Sequence, residues 1–205
     1  MSLKKIFSKI IEKLDELDQT REEILKISRE MIRDASRAIK NVHRGEFNSY
    51  EAKIKALQQN HSKLLNLIDK NPGFFFKHLR TPEQEYTEAV ILYSIITKKQ
   101  IPTPSDLNVD PLNYVLGLAD VIGELRRYAL DNIRKSKIDN LNEILEYMDE
   151  IYSYLFSLDY PSGLTQDLRH KTDKARLTIE RTRGDISLTI QINKLKECIE
   201  KNIPS

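Results

Sequence analysis

Tryptophan is absent, cysteine occurs once and glycine only six times in this 205-residue sequence. A lone thiol, Cys198, rules out an internal disulfide framework. No apolar run reaches the ~20 residues that a membrane-spanning helix needs. The opening M-S-L-K-K-I-F-S-K-I-I-E-K lacks the apolar centre and small-residue cleavage site of a secretory signal. These absences set the expectation of a cytoplasmic protein with no membrane association. Charge of one sign is also missing: 33 basic and 31 acidic residues leave a net +2, so any nucleic-acid surface has to come from uneven placement. The four histidines, His43, His61, His78 and His170, are scattered without metal-ligand spacing. There is no glycine-rich phosphate loop; G-L-A-D-V-I-G (117–123) reads as a helical segment whose small residues permit close packing.

What is present is helix-forming. Scarce glycine beside abundant Leu, Ile, Lys and Glu predicts an all-α, single-domain bundle of six to seven helices spanning 1–205. Residues 3–44 contain no Gly or Pro and repeat apolar residues at helical spacing, which predicts one long helix ending near Gly45. A second helix is expected over 49–69, stopped by Asn71-Pro72-Gly73, and the apolar piece 74–79 is expected to plug the core. Thr81, Pro82 and Gln84 carry a capping-box signature, so the third helix is expected to start at Thr81 and run to about Lys99. After an irregular connection, 101–110, Asp110-Pro111 starts a fourth helix that ends near Ser136. Asp139 is expected to cap a fifth, to about Ser157. A turn over 159–163 then leads to a sixth helix, 164–183, broken at Gly184, and a final one, 186–201.

The third and fourth helices carry acids in apolar surroundings. Glu85 and Glu88 fall on one side of their helix with Leu92 and Ile96; Asp120 and Glu124, four apart, stack one turn above the other. If the two pairs face each other they make a four-carboxylate cluster that needs a cation, and all-oxygen ligation suits Mg²⁺ or Mn²⁺ rather than zinc. A local reading competes. Glu124 can pair along its own helix with Arg127 or Tyr128, while Glu85 and Glu88 can be ordinary acids near a helix start. Asp120 fits the local reading least, being a poor helix former at mid-helix.

Four stretches together resemble the translin and translin-associated factor X family: R-E-E-I-L-K-I-S-R-E-M-I-R-D-A-S-R-A-I-K-N-V-H-R-G (21–45), Q-E-Y-T-E-A-V (84–90), L-G-L-A-D-V-I-G-E-L-R-R (116–127) and R-G-D-I (183–186). The Q-E-Y-x-E-A and A-D-x-x-G-E-L patterns look like the factor X branch. The resemblance implies that Glu85, Glu88, Asp120 and Glu124 are both metal ligands and catalytic residues of an Mg²⁺- or Mn²⁺-dependent endoribonuclease. It implies an all-helical subunit in a hollow homo-octamer, cleaving single-stranded or partly unpaired RNA to leave a 5′-phosphate. The alternative, from translin-type chains, is a non-catalytic oligomer that binds single-stranded RNA or DNA. Phosphate contacts require cations near the acids. Arg127, one turn beyond Glu124, and Arg37, Lys40 and Arg44 near the end of the first helix are the candidates, with Arg176, Arg181 and Arg183 adding charge later; each can equally be a solvated surface charge.

Overall fold

In the computed structural model, which describes residues 2–202, the protein is all helical. The first helix, α1, runs over Leu3–Arg44 and, at 42 residues, is about 63 Å long. Gly45 ends it in the left-handed conformation (φ 72°), where the Gly45 and Glu46 backbone N–H groups donate to Val42 and Asn41 carbonyls. Only its C-terminal half is buried, through Ile24, Met31, Ala35, Ala38 and Val42; residues 3–16 are exposed throughout. Next come α2 (Phe47–Ile68), the short α3 (Pro72–Phe75) with a 3₁₀ turn over Phe76–His78, and α4 (Arg80–Ile96). They are followed by the short α5 (Pro104–Leu107), α6 (Pro111–Arg134), α7 (Leu141–Ser157), the short α8 (Ser162–Thr165) and α9 (Leu168–Asn202).

The bundle is layered in the order α2, α1, α4, α6, with α7 and α9 on the far side of α6. α4 is the central element. Its Tyr86, Ala89, Ile91 and Leu92 are all almost fully buried, and α6 answers with Leu116, Val121, Ile122 and Leu125. These apolar faces, each repeating at helical spacing, hold the bundle together.

Several boundaries differ from the sequence expectation. α4 starts at Arg80 with Leu79 at the N-cap, and no side chain caps it, so the Thr81 capping box does not form. Glu83 takes over the task of fixing this end. Its carboxylate, 1% exposed, lies 2.9 Å from His61 Nε2 of α2 and accepts 2.9 Å hydrogen bonds from the Asp110 backbone N–H and Asn113 Nδ2. A capping box does occur inside the connection expected to be irregular, between Thr103 and Asp106 at the start of α5. Of the piece 74–79, Phe75 and Leu79 enter the core, whereas Phe74 and Phe76 are 63% and 54% exposed, because consecutive helical residues point in different directions. Asp139 does not cap α7, whose N-cap is Asn140. α2 begins two residues earlier than expected, at Phe47.

The larger difference is at Gly184, which does not break α9. A helical glycine costs only about 1 kcal/mol relative to alanine, and here α9 is held on both sides of it. Arg126 of α6 donates to Thr182 Oγ1 at 3.0 Å and pairs with Asp185 at 2.9 Å, while Ile186 is buried. Asp110 caps α6 as expected, accepting from the Leu112 and Asn113 N–H groups at 2.9 and 3.2 Å, so the register of the acids on that helix is set at its first turn.

Candidate metal centre

α4 and α6 approach each other where the acids lie. A Cβ added to Gly117 would sit 2.6 Å from the Gln84 carbonyl oxygen and 2.9 Å from Thr87 Cβ, so only glycine permits this spacing. Gly123, expected to play the same part, meets nothing within 4 Å and is exposed, so it borders a gap instead.

Glu85, Glu88, Asp120 and Glu124 are all part-buried and act on one another. Burial, followed by the negative charge of Asp120, Glu85 and Glu124, pushes the Glu88 carboxyl up to about 8. Burial and then Asp120 raise Glu85 in the same direction. Glu124 goes the other way, held down chiefly by its hydrogen bond with His43 and then by the charges of His43 and Arg127, against the pull of burial. Glu85 and Glu88 of α4 therefore both feel the charge of Asp120 and Glu124 on α6. The local reading of Glu124 is also realised, in a looser contact: Arg127 Nη1 stands 3.5 Å away.

Two cationic or ionisable groups missed in the sequence complete the site. His43, from the last turn of α1, places Nε2 2.5 Å from Glu124 Oε2; its Nδ1 is buried without a hydrogen-bond partner, and its ring lies 6.2 Å from that of Tyr128. Lys171, from the first turns of α9, pairs its ammonium with Asp120 and donates to Gln84 Oε1 at 3.1 Å and to the Leu116 carbonyl at 3.4 Å. His43 carried a signal that a scan for metal spacing overlooks: it adjoins the buried stripe of Ile39 and Val42. Lys171 borders a buried stripe in the same way, three residues after Leu168 and four before Ala175, but stands in a charged stretch that hides it.

As they stand, no three His, Cys, Asp or Glu side chains among the described residues form a ready metal cage. Asp120 is turned to Lys171 and Glu124 to His43. The donor chemistry nevertheless fits a hard divalent ion. All four acids offer carboxylate oxygens, and Glu85 and Glu88 are raised first by burial and then by the charge of the other acids, which Lys171 opposes.

The basic candidates are less concentrated. Arg127 is exposed beside Glu124. Lys40 and Arg44 are exposed on the last turns of α1 on either side of His43, whereas Arg37, also exposed, lies 3.6 Å from Asp34 of its own helix. Arg176 and Arg181 are exposed on α9, and Arg183 is spent on a two-oxygen contact with Asp149 at 2.7 and 2.8 Å.

An uncharacterized protein of Methanocaldococcus jannaschii is 36% identical over 194 residues, covering 94% of this chain and 86% of that one. The translin-associated protein X homolog of Schizosaccharomyces pombe is 23% identical over 190 residues, covering 83% and 81%. Translin-associated protein X of Rattus norvegicus is 22% identical, over 71% of this chain and 64% of its own length. Among solved structures, AfC3PO in complex with duplex RNA has a TM-score of 0.83 at 30% identity, covering 92% of this chain and 98% of that one. Apo-NeC3PO shares the fold, with a TM-score of 0.81 at 23% identity over 89% and 96%. Residues 19–183, from the middle of α1 to the middle of α9, match the translin family, and the chain belongs to it.

Proposed function

We propose that this chain is a metal-dependent endoribonuclease that cleaves single-stranded or partly unpaired RNA inside a closed homo-oligomer. The observation that carries the reading is the shared electrostatic site of Glu85, Glu88, Asp120 and Glu124, with two acids from each of two helices that Gly117 holds close. Kinship adds to it, since AfC3PO, 30% identical to this chain, is a protein found in complex with duplex RNA.

The four acids hold Mg²⁺ or Mn²⁺, which supplies an acidified water and charge stabilisation at the phosphodiester. The protein's own groups do the rest. His43 orients the Glu124 carboxylate through its Nε2 contact, as outer partners of metal ligands generally do. Arg127, exposed one turn beyond Glu124 and 3.5 Å from its carboxylate, meets backbone phosphates. Lys40 and Arg44 extend the positive surface along α1 beside His43. The closed assembly, an octamer in this reading, encloses the acids and limits cleavage to strands that enter it.

A labelled single-stranded RNA should shorten when Mg²⁺ is added and survive in EDTA. Asp120→Ala and Glu124→Ala should each abolish that cleavage while the oligomer mass, read by light scattering after size exclusion, stays unchanged. RNA that is retained but never shortened would instead identify a non-catalytic binding oligomer, and full activity in either variant would remove the acids from the site.

A further inference from the structure

Lys171 sits among the acids without a fixed task once a metal is bound. Its ammonium has three partners, of which only Asp120 is charged; Gln84 Oε1 and the Leu116 carbonyl are neutral acceptors. Its side chain is only 15% exposed, so it cannot simply turn into solvent. The space beside it is a cleft of about 270 Å³ between α6 and α9, bordered by Gly123, Asp167, His170 and Lys174 as well as by Asp120 and Lys171. Gly123 faces open space there: a Cβ at this position would touch nothing within 4 Å.

We propose that this cleft seats an RNA phosphate next to the metal-binding carboxylates, and that Lys171 is the residue that grips it. The inference rests on the nuclease reading above. A divalent ion held by the acids would compete with the ammonium for Asp120, its contact partner, and would offset the charge of Glu85 and Glu88, which also act on it. Gln84 and Leu116 keep the Lys171 side chain in place but cannot balance its charge. An arriving anion can replace the hold that the metal takes from Lys171, and the cleft is the side from which one can reach the ammonium. His170 and Lys174 line that side, where the acidic Asp167 is paired with Arg80, and the cleft gives a phosphodiester room. Without a divalent ion the same ammonium remains on Asp120, so Lys171 grips phosphate only when the site is loaded.

The test uses the full chain and its Lys171→Met and Lys171→Arg variants. RNA affinity is read by fluorescence anisotropy of a short labelled single strand, once in EDTA and once in Ca²⁺, which takes the same oxygen ligands. Mn²⁺ affinity is read by calorimetry without RNA. Lys171→Met should weaken RNA binding about tenfold more in Ca²⁺ than in EDTA, the effect of losing one charge-assisted hydrogen bond. It should bind Mn²⁺ at least as tightly as the wild type, because a competing cation has gone. Lys171→Arg, which keeps the charge, should retain most of the Ca²⁺-dependent affinity. Weaker Mn²⁺ binding in Lys171→Met would reduce the lysine to a positioning residue for Asp120, and equal RNA affinity losses in both buffers, or none, would equally overturn the proposal. Failure of the wild type itself to bind Mn²⁺ is a different result, one that removes the metal reading.

Discussion

Glu88 bears the largest electrostatic consequence of bringing the two helices together. Its carboxyl, raised from 4.5 to about 8, stays protonated at neutral pH when no metal is present. A group whose folded-state pKa is raised contributes stability that is fully present below its unfolded pKa and is lost as pH rises through the folded one. The metal-free protein should therefore lose stability between about pH 4.5 and pH 8, on the order of a few kcal/mol from this group. Glu88→Gln removes the ionisation. In EDTA its Tm should match the wild type near pH 5 and exceed it near pH 8, measured by thermal unfolding followed by circular dichroism; a constant difference at both pH values would show that the carboxyl is not destabilised by its neighbours. At this scale the sequence was partly legible. The four acids stood out because charges are rare in apolar helical runs, and their spacing placed each pair on one face. Glu83 escaped because it sits next to Gln84 and Glu85 in an acidic turn where any acid looks solvated, yet its helix position turns it inward to three partners. Lys171 escaped because its partners lie on α4 and α6, far away in sequence.

Helix ends were readable where one side chain decides them and unreadable where tertiary contacts do. Asp110-Pro111 starts α6 as its local chemistry requires, and Gly45 ends α1. At Thr81 the local signature lost to packing, since the helix gained its buried anchor at Glu83 and extended back to Arg80. Gly184 shows the same conflict, resolved by Arg126 holding Thr182 and Asp185 on either side. Gly117 of α6 and Gly184 of α9 thus have opposite meanings, and substitution separates them. Gly117→Ala forces a methyl to within 2.6 Å of the Gln84 carbonyl, a backbone atom that cannot swing aside. It should cost about 1–3 kcal/mol and weaken Mn²⁺ binding by spreading the acid-bearing helices. Gly184→Ala meets nothing within 4 Å in a continuous helix and should stabilise by about 0.5–1 kcal/mol. Urea unfolding of both variants checks the pair, and the same sign for both would contradict the packing described.

The whole molecule leaves two apolar surfaces uncovered, one at the beginning of its longest helix and one at the end of its second longest. On α1, Leu3, Phe7, Ile10 and Leu14 are between 46% and 73% exposed; on α9, Leu188, Ile192, Leu195 and Ile199 are between 45% and 61% exposed. Both sets recur at spacings of three and four, the pattern of a helix that packs against another helix, and among the described residues nothing in the chain itself covers either one. Single exposed leucines are ordinary, but a continuous stripe on each of two long helices marks an interaction surface. Neither stripe takes part in the metal centre, so its loss should separate assembly from the site. Replacing Ile192 and Leu195 together with Glu should lower the oligomer mass seen by light scattering while helical content and the Tm of the subunit change little, because these side chains contribute nothing to the subunit's own core. If a closed shell confines the RNA, the disassembled variant should still bind Mn²⁺ with wild-type affinity but release partly cleaved RNA. An unchanged mass would show that the α9 stripe is not an assembly surface, and loss of Mn²⁺ binding would show that the stripe and the acid site are coupled.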